Sequence, residues 1–166
     1  MPTLIELKDG VYRGVEDAFT HVADDQDMAT GDVIVSLTRF QAEGEALLSE
    51  GRRVGVRLQS HEEVEVLAYD LPRLTVVALE FPKYRDGRAY TNANVLSGRF
   101  KFKGQIRAVG DVLREQAGFM VRVGFNAFEP ADDASANEWQ AAANRYRHVY
   151  QRSADGRAPA FAEREG

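Results

Sequence analysis

Between Phe81 and Tyr90 the chain reads FPKYRDGRAY, which sets Lys83, Arg85 and Arg88 beside Asp86 directly after an apolar run, LTVVALEF. Cations placed where a strand gives way to a helix suit an anion, because free backbone N–H groups and the helix dipole add to the side-chain charge. Phosphate, sulfate, sulfite and carboxylate all meet that description. A second polar group, Gly110, Asp111 and Arg114, follows the next apolar run. Asp86 and Asp111 are the candidate acid/base pair if adjacent strand ends bring them face to face. The plainer reading makes both aspartates helix caps and leaves the cations solvated.

Other chemistry is thin. Neither a P-loop nor a GxGxxG turn is present. Ser36 and Ser60 lack a nucleophile elbow, and His61 fits a helix surface equally well. Asp24, Asp25 and Asp27 lack the ligand spacing and closing glutamate of a calcium loop and read as solvated. The three histidines, at positions 21, 61 and 148, show no zinc-ligand spacing, so no metal site is expected. With no cysteine, the chain supplies no disulfide, no thiol nucleophile and no ligand for a cysteine-held iron–sulfur cluster. Arg57 and Arg107 fall inside apolar strands, which is costly unless each is paired or at an edge. A plain exposed strand face is the first reading, with Glu80 as a partner the alternative. Trp139, Tyr146 and Tyr150 read as core or edge packing, or as a partner-binding patch.

These residues need elements to position them. The 166 residues, 44% hydrophobic and 28% charged, point to one globular α/β domain over residues 1–152 and a loose tail over 153–166. TLIELKDGVYR, residues 3–13, predicts a hairpin turning at Asp9-Gly10. Strands follow at 33–37, 53–58, 74–81, 105–109 and 125–129. Between them the spacing predicts helices. One is capped by Thr38 and Gln41, and one by Ser60 and Glu63 with Val64, Leu67, Ala68 and Leu71 inward. Two more start at Asp86 and Asp111, the latter with Phe119, Met120 and Val123 on its inner face. A last helix is capped by Ser135 and Glu138, with YRHVYQ as a further edge strand. Strands separated by single helices imply a mostly parallel sheet of four to five βα units, either open and doubly wound or curved like part of a βα barrel. In both, loops after the strands gather on one functional edge.

Net charge of −5 argues against a nucleic-acid binder, although it permits a local basic patch. The first residues lack signal-peptide order and no apolar run reaches membrane-spanning length. A cytoplasmic protein with no membrane contact is the expectation.

The stretches FPKYRDGRAYTNANVL, FKGQIRAVGDVLREQAGFM and RVGFNAF, with the first hairpin and YQRSADGRAPAF, resemble the bacterial family DUF934. That family carries the label of an oxidoreductase of sulfite reduction, from the company its genes keep beside assimilatory sulfite reductase, and brings no mechanism. The resemblance marks Pro82, Asp86, Gly87, Arg88, Tyr90, Arg107, Gly110, Asp111, Arg114 and Gln116. Where the family often has a cysteine before the RxGF glycine, this chain has Val123, so thiol chemistry is discounted. The resemblance implies an accessory protein that supports sulfite reductase assembly or electron delivery, with sulfite reductase or its electron donor as partner. Lys83, Arg85, Arg88, Tyr90, Arg114 and Gln116 would then meet the partner. A bound flavin is the cofactor that direct electron transfer would need. The alternative is a small enzyme that holds an anionic sulfur or phosphorylated metabolite on the same residues, with Asp86 or Asp111 as acid/base.

Overall fold

The computed structural model describes residues 3–82 and 87–144. Strands β1 (Thr3–Lys8) and β2 (Val11–Glu16) form the expected hairpin, and Asp9 (φ 53°) and Gly10 (φ 78°) take the two left-handed conformations of a tight turn. Then come β3 (Thr20–His21), β4 (Val33–Ser36), α1 (Leu37–Ser49), β5 (Val54–Leu58), β6 (Val76–Phe81), α2 (Arg88–Asn94), β7 (Gln105–Gly110), α3 (Ala117–Val123), β8 (Ala127–Phe128) and α4 (Ala136–Asn144).

One sheet collects all eight strands in the order β2-β1-β8-β7-β6-β5-β4-β3. Pairs from β3 to β8 are parallel, while β1 runs antiparallel to both β2 and β8. The sheet is therefore mixed, which corrects the expectation of a mostly parallel one: the first hairpin joins the same sheet through β8. The strand order also decides between the two architectures. From β3 to β8 each strand lies beside its predecessor, with no reversal, so right-handed crossovers put every connection on one face. The sheet curls into a half-barrel and the doubly wound alternative falls.

The two faces differ. Val33, Val35, Val54, Val56, Val77, Leu79, Ile106 and Ala108 join Phe40, Leu47, Leu67, Leu96, Met120 and Trp139 in the main core on the convex side. Ile34, Val76, Ala78 and Val109 form a small separate cluster on the concave side, met by Phe19. Registers place Ser36, Arg57, Ala78, Arg107 and Ala127 in one row across that side. Small residues between long ones suit the inside of a curl; a Cβ on Gly55 would stand 2.9 Å from the Val76 Cβ.

Several helix expectations shift. Ser36 caps α1 by accepting from the Arg39 N–H (3.1 Å), where Thr38 and Gln41 were expected. In place of the helix after Ser60 there are two 3-10 turns, Val64–Leu67 and Leu71–Arg73. The Gln59 N–H donates to the Glu62 carboxylate and the Val64 N–H to the Asn92 Oδ1, so this segment is fixed by side chains and needs no helical ladder. Asp111 starts no helix: Val112 is buried, its carbonyl accepts from the Ala131 N–H, and helical turns begin only at Arg114. The Ser135–Glu138 capping box is present in full, with Ser135 N–H to Glu138 at 2.6 Å and Glu138 N–H to Ser135 Oγ at 3.2 Å. The YRHVYQ strand and the tail lie outside the described residues.

Gly110 has a structural duty that its sequence context hid. It has φ 91°, and a Cβ there would sit 2.5 Å from the Phe81 carbonyl oxygen. Gly110→Ala should therefore cost about 2–4 kcal/mol in urea unfolding, from the left-handed conformation and the backbone clash together. A change under about 0.5 kcal/mol, the scale of a neutral surface substitution, would contradict this account.

Candidate functional site

A guanidinium lies under the concave face. Arg107 is 1% exposed, and its Nη1 and Nη2 donate to both Asp17 carboxylate oxygens at 2.7 and 3.1 Å. Nη1 also donates to Glu129 Oε2 (3.0 Å) and Nε to Gln105 Oε1 (2.8 Å). His21 Nε2 donates to the same Glu129 oxygen at 2.7 Å. Beside them Arg57 Nε donates to Glu80 Oε2 at 3.3 Å, the pairing the sequence offered.

This geometry measures the curl. His21 belongs to edge strand β3 and Glu129 follows β8, five strand spacings away. In a flat sheet they would be about 24 Å apart, beyond the reach of the two side chains. Phe19 fills the space between, with the Arg53 guanidinium 5.1 Å from its ring centre and that of Arg107 5.7 Å.

Asp17, His21 and Glu129 bring one ligand atom each to within 4.8 Å of one another. Arg107 already bridges both carboxylates, so this group has its cation in the guanidinium and reads as a part-buried ion-pair cluster. Burial alone would push the Glu129 carboxyl up, but hydrogen bonds and charge from His21 and Arg107 outweigh it and hold the carboxyl below its ordinary value. A cleft of about 410 Å³ opens beside the cluster, lined by Leu4, Asp17, Glu129, Asp132 and Asp133 among others.

Of the residues singled out from sequence, those described spread along the strand-end edge. Lys83, Arg85 and Asp86 lie outside the described residues. Arg88 and His61 share a groove of about 290 Å³ with Ser60, Thr91 and Asn92, and with Glu62, Glu63 and Glu65. Three carboxylates make that groove a poor receptor for an anion. Arg114 turns away to α4, where its Nη1 donates to Glu138 at 3.1 Å. Asp111 is held by its backbone N–H on the Phe81 carbonyl at 2.8 Å. Gln116 precedes α3, and its Oε1 is shielded from solvent with no hydrogen-bond partner among the described residues.

Tyr90 belongs to an aromatic ladder. Phe125 and Phe81 are 5.5 Å apart, Tyr90 stands edge-on to Phe81 at 5.1 Å, and Phe119 edge-on to Tyr90 at 4.8 Å. Phe119 was expected to face inward with Met120; Met120 is in the core as expected, whereas Phe119 is 51% exposed.

Sequence reasoning missed Asp17, His21 and Glu129. A signal was there: Asp17, Phe19 and His21 alternate as one face of an extended segment, and an arginine inside a strand demands a carboxylate.

Two outcomes follow from the cluster. Arg107→Met should destabilise by about 3–5 kcal/mol in urea unfolding, because Asp17 and Glu129 lose their counter-ion; adding Asp17→Asn and Glu129→Gln should restore much of it. A depressed Glu129 contributes stability above its unfolded value, which is lost as pH falls through the folded value. Glu129→Gln should thus flatten the acid limb of stability below about pH 4.3.

No curated protein and no solved structure matches the chain. The profile of a family described as a bacterial protein of unknown function matches residues 55–161, which takes in nearly all of β5, the strands from β6 to β8 and the strand-end segments that follow β5, β6 and β7. By that match the chain belongs to the DUF934 family.

Proposed function

We propose that the protein is an accessory component of assimilatory sulfite reduction that docks on sulfite reductase or its electron donor. The pathway rests on what the family resemblance implies. The docking rests on one observation: Phe119 is half exposed at the tip of an aromatic ladder rooted in the core through Tyr90, Phe81 and Phe125. A rigid aromatic presented this way gains much contact area and loses little side-chain entropy on binding, as interface anchors do. Leu113, 37% exposed, adds apolar surface just before the turn into α3.

The competing reading, an enzyme that holds an anionic sulfur or phosphorylated metabolite, has the groove with His61 and Arg88 in its favour. It has less support, since Arg57, Arg107 and Arg114 are each matched by a carboxylate of the protein. A flavin would turn the docking role into electron delivery, and the spectrum of the purified protein would reveal it.

The test is capture of identified sulfite reductase by the tagged protein in its own host under sulfate limitation. Wild type should recover the enzyme, and Phe119→Asp should lose at least tenfold of it while remaining cooperatively folded at the capture temperature, the loss of one anchor of about 1.4 kcal/mol or more. Equal recovery by both forms would remove Phe119 from the interface. Recovery by neither, with saturable sulfite or phosphate binding that Arg88→Ala weakens, would favour the enzyme.

A further inference from the structure

The two edges of the sheet are unlike: β3 contributes two residues, whereas β2 contributes six. Backbone direction shows what β2 presents. The Leu7 N–H donates to the Asn126 carbonyl, so Leu7 and Ile5 turn their peptide groups toward β8. Leu4, Glu6 and Lys8 then turn theirs toward β2, where Val15, Arg13 and Val11 are their partners in register. Tyr12, Gly14 and Glu16 are left pointing their peptide groups off the edge. The Tyr12 N–H is met there by Gln140 Oε1 of α4, at 3.0 Å. Among the described residues nothing meets the N–H of Gly14 or Glu16, so this edge is a row of donors and acceptors able to take another strand.

The path of the chain points to the strand that fits. From β4 to β8 the strands step one place at a time toward β2, with α1, α2 and α3 on the convex side. On that side too lies α4, where the Trp139 ring packs 4.8 Å from Phe128 and 6.3 Å from Tyr12. It begins soon after β8 and ends beside the hairpin turn. There Gln140, Ala143 and Asn144 line a groove of about 430 Å³ together with Leu7, Gly10 and Tyr12. The chain has thus returned to the end of the sheet at which a strand parallel to β8 must start. Beyond β8 in the direction of travel, β1 and β2 hold the next two places, and the first vacant one borders β2. Two antiparallel pairings separate β8 from β2, so a strand parallel to the first is parallel to the second.

We propose that residues 146–151, YRHVYQ, pair in parallel with β2 and close this edge. The segment follows α4 after a single residue, Arg145, and alternates Tyr146, His148 and Tyr150 with Arg147, Val149 and Gln151. Its aromatic and β-branched residues suit a pleated surface. The family match, which runs to residue 161, takes it in. With this strand in place, β8 and α4 complete one more right-handed βα unit of the kind that builds the rest of the sheet. The inference stands apart from docking through Phe119, and it leaves partners the side-chain surfaces of the molecule rather than an open strand at β2.

The experiment is amide hydrogen exchange on the full chain, followed by NMR. Gly14 and Glu16 should exchange at least about a hundredfold more slowly than their intrinsic rates, as should alternate amides within 146–151. The double variant His148→Pro, Val149→Pro, which no paired strand tolerates, should return Gly14 and Glu16 to near-intrinsic rates while Arg13 and Val15 stay slow. Fast exchange at Gly14 and Glu16 in wild type overturns the proposal. So does protection that survives the double variant, or that grows with protein concentration, since a second copy would then be filling the edge. Should the variant fail to fold, cross-strand proton contacts between residues 146–151 and β2 in wild type decide the matter, and their absence overturns the proposal equally.

Discussion

A cation that water cannot reach must be neutralised by the protein, and the placement of Arg107 imposes that requirement on the concave side of this sheet. Its carboxylates come from far apart in sequence: Asp17 lies 90 residues before it and Glu129 22 after. One guanidinium thus ties Asp17, in the segment between β2 and β3, to the middle of the sheet and the end of β8 to the same point. His21 then joins edge strand β3 to Glu129, and the curl becomes the condition for the contact. A flatter sheet would separate the partners and leave three charged groups poorly compensated.

The sheet's two sides consequently obey different physics. On the convex side there is room for helices, and burial of Val, Leu, Phe and Trp supplies the stabilisation. The concave side is too narrow for a second apolar layer, and its rows hold Gly55, Ala78 and Ala127 between long side chains. Phe19 brings an aromatic ring there, beside two guanidiniums. Strands β4 and β6 are apolar on both faces up to Ser36 and Glu80 because residues 17–21 and their ion pairs exclude water as the helices do.

Legibility in the sequence divides along the same line. Features set by neighbours a few residues apart were readable: the Asp9-Gly10 hairpin, the Ser135–Glu138 box, the buried strands and the α/β class. Features set by distant partners were not. The 60–71 segment has helical spacing, yet Asn92, 28 and 30 residues away from its partners, fixes it as turns. Asp17 and His21 sit in an acidic stretch that looks solvated until Arg107 and Glu129 are brought to them. Of the strand-end candidates, Arg88 and Tyr90 do lie on the edge that the fold class predicts, whereas Arg114 belongs to the packing of α4. The choice between half-barrel and open sheet depended on strand order, which periodicity does not encode.

Charge matching also bears on what the molecule is built to do. A site that acts on a small anion keeps a cation whose counter-charge is the substrate itself, held ready in a preorganised pocket. Here Arg57, Arg107 and Arg114 carry protein carboxylates at 3.3, 2.7 and 3.1 Å, and an incoming anion would have to displace them. The exposed ring of Phe119 faces no such competition, since covering it removes apolar surface from water and breaks no existing ion pair. Of these surfaces, the aromatic one can gain a partner at the lower cost, and that difference is the physical ground for proposing docking ahead of catalysis.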